Sequence, residues 1–260
     1  MEKITGKNND LIKSVKKLLS SSKERRVTNS FVLEGARLVF DALNSLCSIR
    51  CFLVTETAYD KYREQCNKII SLAEKSYFIS DEISAKLSET ENSQGVFAVF
   101  EIEENTFDFK SDGKYIALDN VQDPGNLGTI LRTAEALGID GIIIGGGCDV
   151  YNPKVLRATM GAVFRIRILR CGNAEEALAE LKEKGFKVYA ASPDKTARSI
   201  TDADFSQGAV CVIGNEANGI SKNVAALADD FITIKMLGRA ESLNASVAAS
   251  ITMWEMLRNE

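Results

Sequence analysis

Three short polar segments in the second half of the chain contain residue types that could do chemistry, and each follows or adjoins an apolar segment. The first contains Asn126 and Arg132, the second Glu216 and the third Ser242 and Asn244. Amide, guanidinium, carboxylate and hydroxyl groups can orient a substrate, bind an anion or move a proton. The chain has no histidine, which excludes imidazole metal sites and histidine-dependent catalytic triads. Any chemistry must therefore come from the remaining polar side chains or from a cofactor.

Each of these residues also has an ordinary structural explanation. Asn126 is well placed as the N-cap of a helix, and Ser242 could cap the last helix. Arg132 lies among apolar helical positions and could pair with a nearby carboxylate such as Glu135. A structural explanation fits Glu216 less well, because a charge beside a buried strand end requires a partner. Residue types alone leave both kinds of explanation open.

The second half is predicted to consist of repeated strand–helix units. Predicted strands are Tyr115–Leu118, Gly141–Ile144, Arg165–Leu169, Lys187–Ala191, Ala209–Ile213 and Phe231–Ile234. Predicted helices are Leu127–Leu137, Lys154–Val163, Ala174–Lys184 and Ser242–Arg258. Because the strands are apolar without regular alternation, they indicate a parallel α/β sheet buried on both faces. Open parallel sheets bind ligands at the carboxyl ends of their strands, where we expect the three polar segments to meet.

The first half, residues 1–104, is predicted to be a smaller α/β domain. Helices are predicted from about residue 10 and at Ala36–Leu43, Asp60–Ala73 and Asp81–Leu87. Strands are predicted at Phe31–Leu33, Ile49–Thr55, Tyr77–Ile79 and Gly95–Phe100. An acidic stretch with Gly and Ser follows, and we interpret residues 105–113 as a linker to a second domain at 114–260.

Charge is distributed unevenly, although the net charge is only −4. Residues 1–30 hold eight basic and three acidic side chains, whereas the rest of the chain is acidic. A basic segment of this kind is typical of a surface that contacts phosphate. The same segment has apolar residues at helical spacing, as in an ordinary amphipathic helix with a solvated face. Composition leaves these two interpretations open.

Several classes of protein and site are excluded by sequence patterns. No apolar run approaches the ~18 residues of a membrane helix and the first ten residues are polar, so we expect no membrane partner and a cytoplasmic location. The six cysteines are scattered singly without a CxxC pair, which predicts buried reduced thiols and no metal site. Neither GxGxxG nor GxxxxGK[ST] is present, so neither a dinucleotide fold nor a P-loop is supported.

The order and spacing of the polar segments resemble the three motifs of the SpoU (TrmH) family of the SPOUT superfamily. The motif residues are Asn126 and Arg132, then Gly214, Glu216 and Gly219, then Ser242, Leu243 and Asn244. Members of this family transfer a methyl group from S-adenosylmethionine to a ribose 2′-hydroxyl of RNA. The first half resembles the family's L30e-like substrate-binding domain, with Phe31–Arg37 and Ser93–Val96 as landmarks. The resemblance implies a methyltransferase of structured RNA, ribosomal in preference to transfer RNA.

The resemblance also implies roles for individual residues and a particular topology. It implies a catalytic set of Asn126, Arg132, Glu216, Ser242 and Asn244. It implies a cofactor-binding set of Ala191, Ser192, Gly214, Gly219, Ile234, Met236 and Leu243, and no metal. The family has a deep trefoil knot in the C-terminal part of the catalytic domain and forms homodimers through that domain, with active-site residues from both subunits. Lys235, Ala217 and Ala245 depart from the usual Pro, Gly and Val, but none of these changes removes a reacting group.

A hydroxyl that accepts a methyl group must lose its proton. Without histidine, the candidates for the proton acceptor are Arg132, Glu216 or a phosphate of the substrate. A guanidinium group keeps its proton at neutral pH. We therefore favour Arg132 as the group that anchors the adjacent phosphate and polarises the 2′-oxygen, with the proton leaving through that phosphate. Asn126 would orient Arg132 or the ribose, and Glu216 would fix the neighbouring network.

Other functions remain compatible with these residues. The first half could bind RNA in a protein without catalysis, or the target could be a ribose of transfer RNA. An enzyme of the same superfamily could instead methylate a base nitrogen. A general α/β binding protein for a small metabolite fits least, because no phosphate-binding loop is present.

Overall fold

The chain forms two compact units. The computed structural model describes residues 1–6, 9–45, 47–102, 107–194 and 196–258. One unit comprises Met1–Glu104 with Tyr151–Phe164, and the other Asn105–Val150 with Arg165–Glu260. Residues 151–164 thus pack with the first unit, although the predicted domain 114–260 includes them. The reason is apolar packing, because Leu156 is buried in the first unit's core and the rings of Tyr151 and Phe31 stack at 4.5 Å. The other domain limits stay predictions.

The first unit is built on one mixed sheet. Its strands are β1 (Glu2–Ile4), β2 (Ser30–Glu34), β3 (Ile49–Thr55), β4 (Lys75–Ile79) and β5 (Val96–Glu101). They lie in the order β1-β4-β3-β5-β2, with β5 antiparallel to its neighbours and the remaining pairs parallel. Two clusters of buried apolar side chains form its core. The sequence patterns did not predict β1, whose three residues are too few to show a period.

The second unit is built on a sheet that is parallel throughout. Its strands are β6 (Lys114–Asp119), β7 (Gly141–Gly145), β8 (Ile168–Cys171), β9 (Lys187–Ala191), β10 (Arg198–Ser199), β11 (Ala209–Ile213) and β12 (Asp230–Thr233). Their order is β10-β12-β9-β11-β6-β7-β8. β6, β7 and β11 are buried along their whole length, and the predicted α/β class is confirmed. The strand predicted at Arg165–Leu169 instead lies at β8, and the trefoil knot stays a prediction.

Helices connect the strands in both units. Their bounds are α1 (Asp10–Ser20), α2 (Ser22–Thr28), α3 (Ala36–Asp41), α4 (Glu56–Lys61), α5 (Arg63–Leu72), α6 (Asp81–Leu87), α7 (Pro124–Leu137), α8 (Pro153–Thr159), α9 (Glu175–Glu183), α10 (Lys222–Ala225) and α11 (Ala245–Leu257). The predicted helix Asp60–Ala73 is divided, because Tyr62 adopts φ −121° and ψ 35° between α4 and α5. The predicted helix Lys154–Val163 ends early, because Met160 is left-handed with φ 51°.

Two kinds of site are not found among the residues described above. No helix there is long and apolar enough to cross a membrane, and no group of three or more possible ligand side chains is arranged to hold a metal ion. Cys51, Cys66 and Cys211 are buried free thiols, as predicted, whereas Cys47, Cys148 and Cys171 are only partly buried, so the prediction of burial is wrong for these three. Burial raises the pKa of Cys51 and Cys66 to about 11, which makes these thiols unreactive at neutral pH.

Candidate active site

Three strands of the second sheet end where the polar segments begin. β6 ends at Asp119, β11 at Ile213 and β12 at Thr233. β11 lies between β6 and β9, and β12 lies on the other side of β9. Because these strands are all parallel, their carboxyl ends share one edge of the sheet. The polar segments therefore start from a common edge.

The first polar segment begins α7, and its N-cap is Asp123 rather than Asn126. The Asp123 carboxylate accepts a hydrogen bond of 2.8 Å from the backbone N–H of Asn126, and Pro124 occupies the first turn. The expectation that Asn126 caps this helix is therefore wrong, because a carboxylate three residues earlier already does so. Asn126 is 7% exposed, and its side chain is available for contacts beyond its own helix.

Glu216 joins the second polar segment to the first through three hydrogen bonds. Its Oε1 accepts from the side-chain amide of Asn126 at 2.9 Å and from the N–H of Asp123 at 3.1 Å. Its Oε2 accepts from the N–H of Gln122 at 3.1 Å. Burial by itself raises the pKa of Glu216, but these hydrogen bonds outweigh it and bring the pKa below its ordinary value. Glu216 is therefore a carboxylate at neutral pH.

Asn126 also connects to the third polar segment. Its Oδ1 accepts a hydrogen bond of 2.9 Å from the side-chain amide of Asn244. Because its Nδ2 donates to Glu216, one buried amide bridges a carboxylate and a second amide. The three polar segments thus meet in one hydrogen-bonded chain of side chains, the Glu216–Asn126–Asn244 group.

Asn244 holds its place because it is the N-cap of α11. Its Oδ1 accepts from the N–H of Ser246 at 2.9 Å and from the N–H of Val247 at 3.3 Å. The last helix therefore begins at Ala245, whereas the sequence patterns predicted that it begins at Ser242. The same side chain caps a helix through its oxygen and contacts the polar group through its nitrogen.

Two glycines of the second polar segment are required by the geometry of the backbone. Gly219 has φ 67°, a left-handed conformation that favours glycine. The N–H and C=O groups of Asn215 each pair with Gly219 at 2.9 Å. A Cβ at Gly214 would lie 2.3 Å from the backbone carbon of Gly219. This tight loop presents Glu216 at the end of β11.

A cavity of about 470 Å³ lies beside this group in the second unit. Small-molecule sites usually measure about 300–1,000 Å³. All members of the predicted cofactor-binding set line it, namely Ala191, Ser192, Gly214, Gly219, Ile234, Met236 and Leu243. Glu216, Ser242 and Asn244 of the predicted catalytic set line it as well. Asn126 is not a lining residue and connects to the cavity wall through its hydrogen bonds.

The cavity wall also contains residues that the motifs did not predict. Ile200, Asn215, Ala248 and Thr252 line the cavity but were not predicted as site residues. Ala245, Ala248 and Thr252 follow helical spacing, so one face of α11 forms a wall, and this spacing is the signal that could have revealed them. Thr252 is fully buried, and its hydroxyl has no hydrogen-bond partner among the described residues.

Arg132 lies apart from the Glu216–Asn126–Asn244 group within one chain. It is six residues beyond Asn126 on α7, hence about 120° around the helix axis and about 9 Å along it. Asn126 is buried, whereas Arg132 is exposed and has no hydrogen bond or ion pair in the described part of the chain. Glu135 does not pair with Arg132, because its Oε1 accepts a hydrogen bond of 2.7 Å from Arg165 Nε. Within one chain, Arg132 therefore makes no hydrogen bond or ion pair with the other catalytic candidates among the described residues.

Family models match both halves of the chain. A model described as the SpoU rRNA methylase family matches residues 113–254. A model described as the MRM3-like substrate binding domain matches residues 9–98. The matched ranges contain the motifs and landmarks on which the resemblance was based.

Similar proteins cover nearly the whole chain. The chain is 33% identical over 257 residues to the 23S rRNA (guanosine(2553)-2′-O)-methyltransferase RlmP of Bacillus subtilis (strain 168), which covers 98% of this chain and 99% of the relative. The structure of this chain is similar to that of an AdoMet-bound rRNA methyltransferase from Sinorhizobium meliloti, with TM-score 0.88 and 31% identity. The match covers 99% of this chain and 98% of the Sinorhizobium meliloti chain. The structure is also similar to the SpoU methyltransferase AviRb from Streptomyces viridochromogenes in complex with AdoMet, with TM-score 0.86, 25% identity and coverage of 97% and 98%. The chain belongs to the SpoU rRNA methylase family.

Proposed function

We propose that this chain transfers a methyl group from S-adenosylmethionine to a ribose 2′-hydroxyl of ribosomal RNA. The observation that carries the proposal is the cavity of the second unit, whose wall contains two members of the Glu216–Asn126–Asn244 group. Family membership supplies the class of reaction. The similar proteins are named as rRNA methyltransferases, which supports ribosomal RNA as the substrate and the cytoplasm as the location.

The cavity fits S-adenosylmethionine in charge and in surface. Glu216 is the one charged residue among the described lining residues, and a carboxylate suits a ligand whose sulfur is positively charged. Small residues such as Ala191, Gly214 and Ala248 leave backbone groups within reach of a ligand. The unpartnered hydroxyl of Thr252 is a further polar atom that a ligand could satisfy. When bound, S-adenosylmethionine supplies a reactive methyl group, so the protein's task is alignment.

The hydrogen bonds of Glu216 favour a structural role over a role as general base. Both of its oxygens accept from N–H groups and its pKa is lowered, so it is a weak base. Its role is to hold Asn126, which in turn holds Asn244 at the start of α11. Asn126 and Asn244 are therefore positioning residues, and exposed Ser242 at the cavity is the group available for contact with the ribose.

Arg132 completes the site from a second copy of the chain. It is exposed and lies about 120° around α7 from its own Asn126, and α7 packs against α11. α11 exposes an apolar stripe formed by Val247, Ile251 and Trp254, which are 46%, 37% and 60% exposed. A homodimer through this unit would bury the stripe and would place Arg132 of the partner subunit at the site. A positively charged guanidinium group can bind the phosphate next to the reacting ribose through paired hydrogen bonds.

The first unit is proposed to hold the RNA. Its match to a substrate-binding domain supports this role. α1 supports this role, because one face of the helix is buried and the other is charged. The buried residues of α1 are Ile12, Val15, Leu18 and Leu19, and its exposed lysines are Lys13, Lys16 and Lys17. The helix is therefore amphipathic, and its solvated face has the charge needed to contact phosphate.

The proposal is tested by transfer of tritiated methyl from S-adenosylmethionine to ribosomal RNA, followed by nucleoside analysis. We expect a 2′-O-methylated nucleoside in ribosomal RNA and none in transfer RNA. Arg132→Ala should lose the label while calorimetry shows unchanged cofactor affinity, and Arg167→Ala should remain active as an exposed arginine control. RNA binding without label would indicate a binding protein, and label on a base nitrogen would exclude ribose transfer. An equal loss of cofactor affinity in Arg132→Ala would contradict the phosphate-anchoring role.

A further inference from the structure

The first unit contains another cavity, which the proposed reaction does not use. It measures about 370 Å³ and is formed by the end of β2, the first turns of α3, the loop before β5 and the end of α8. We propose that this cavity binds one unstacked nucleotide of the RNA substrate. The inference rests on the proposed function, since it specifies how the first unit would hold RNA.

Gln94 gives the cavity an oriented hydrogen-bond donor. Its Oε1 accepts a hydrogen bond of 2.7 Å from the backbone N–H of Ala36. That bond fixes the amide and leaves its NH₂ group without a partner in the described ranges. Gly35 makes the turn between β2 and α3 with φ 99°, a conformation that favours glycine. Base edges carry acceptors that such an amide can bind.

Glu34 holds another part of the cavity wall in place in the absence of a ligand. It is 8% exposed, and its carboxylate accepts from the hydroxyl of Thr90 at 3.0 Å and from the N–H of Glu89 at 3.1 Å. It also accepts a short hydrogen bond from the hydroxyl of Ser88. These contacts hold the loop before β5 against the end of β2, so the cavity is preformed.

Two arginines line the cavity, and each has N–H donors without a hydrogen-bond partner among the described residues. Arg157 Nη2 lies 3.3 Å from Glu89 Oε2, and Nη1 lies 3.9 Å from Glu34 Oε2. Nη1 is buried and has no hydrogen-bond partner among the described residues. Arg37 is exposed and makes no hydrogen bond or ion pair there. Guanidinium planes stack on unpaired bases and bind the adjoining phosphate.

The balance of charge favours a nucleotide over a free phosphate. The charged lining residues are the carboxylates Glu34 and Asp41 and the guanidinium groups Arg37 and Arg157, so the charges balance and the cavity is not a strongly positive site for an isolated anion. Leu38 and Met160 add apolar surface, which a phosphate cannot use and the face of a base can. An apolar wall, an oriented amide and a stacking cation together are the usual means of holding a splayed base.

The test combines kinetics with a direct titration. Arg37→Ala should raise the KM for ribosomal RNA in the methyl transfer assay at least about fivefold with kcat unchanged, as expected for loss of a stacking contact. Arg63→Ala is the matched control, because Arg63 is exposed in the same unit and pairs with Asp60 outside the cavity. In NMR titrations, nucleoside monophosphates should shift the side-chain amide signals of Gln94, and ribose 5-phosphate should not. Gln94→Glu identifies those signals by removing them.

These outcomes distinguish a failure of nucleotide binding in the cavity from a failure of the proposed methyl transfer. Equal KM values for Arg37→Ala and the wild-type chain, or no shift with any nucleotide, would overturn the inference. Equal shifts with ribose 5-phosphate would also overturn it, because the cavity would then recognise phosphate without the base. A wild-type chain that methylates no RNA would refute the proposed function, while the titration would still decide whether the cavity binds a nucleotide.

Discussion

Replacing Asn126 with Asp would place two carboxylates in contact and should destabilise the second unit. The amide Nδ2 of Asn126 lies 2.9 Å from Glu216 Oε1, and Asp would present an oxygen there. Two unit charges about 4 Å apart repel by about 4 kcal/mol at an effective dielectric constant of about 20, and the lost hydrogen bond to a charged group adds about 1.5–3 kcal/mol. Because solvent reaches Glu216 and screens the repulsion, we expect a loss of about 2–4 kcal/mol in the free energy of unfolding near pH 7.5.

The pH dependence of this variant gives the sharper test. In the native chain the pKa of Glu216 is lowered, so its carboxylate stabilises the fold above its ordinary pKa, and the contribution is lost as pH falls through the lowered value. In Asn126→Asp the two carboxylates share a proton, so the folded state binds a proton that the unfolded state does not. Between about pH 7.5 and pH 5.5 the variant should therefore recover stability relative to the native chain.

Urea denaturation followed by the fluorescence of Trp254 measures this difference. Trp254 is the single tryptophan of the chain and lies on α11, so its signal reports the second unit. Asn223→Asp is the matched control, because it adds the same charge at an exposed position of α10 and should change stability by less than about 0.5 kcal/mol. If Asn126→Asp matched the native stability at both pH values, the contact between Asn126 and Glu216 could not hold the site as proposed.

Three further substitutions address the cavity and the dimer. Thr252→Val removes a buried unpartnered hydroxyl, so the melting temperature without cofactor should rise by about 2–4 °C. The affinity for S-adenosylmethionine, measured by calorimetry, should fall roughly threefold to tenfold. Thr252→Ser keeps the hydroxyl and should preserve that affinity. Unchanged affinity in Thr252→Val would exclude a ligand contact, and a lower melting temperature would contradict an unpartnered hydroxyl. Gly214→Ala should abolish cofactor binding, because its Cβ would lie 2.3 Å from the backbone of Gly219; retained affinity would show that the loop relaxes. Trp254→Glu should convert a homodimer into a folded monomer in light scattering, and an unchanged mass would exclude the stripe on α11 as the interface.

The parallel sheet and its polar edge were predictable because their signals are local. Strands buried on both faces are continuously apolar over a few residues, and β6, β7 and β11 show this pattern. The polar segments directly follow such runs, so the ligand-binding edge could be inferred from the chain order. The spacing of Asn126, Glu216 and Asn244 also indicated the family, and the match to the family model supports it. The contact between Glu216 and Asn126 itself was not predicted.

The helix starts at the site were mispredicted because several side chains compete to cap each helix. Asp123 and Asn126 are both good caps by residue type, as are Ser242 and Asn244. At α7 the side chain of Asn126 binds Glu216 and Asp123 is the cap, whereas at α11 Asn244 both caps the helix and donates to Asn126. In both cases the choice involves contacts with distant segments. Asn126 is held by Glu216, 90 residues away, and Asn244 by Asn126, 118 residues away, so neighbours in sequence could not reveal either choice.

The amino-acid sequence by itself determined the α/β class, the polar strand ends, the absence of histidine chemistry and the family. These features are local, because the periodicity of apolar residues and the types of polar residues can be read over a few neighbouring positions. Only the tertiary structure decided that Asn126 bridges Glu216 and Asn244, that Arg132 is exposed and takes no part in their hydrogen bonds, and that residues 151–164 join the first unit. These outcomes depend on which distant groups compete for the same hydrogen bond or apolar surface, and that competition is resolved only when the whole chain has folded.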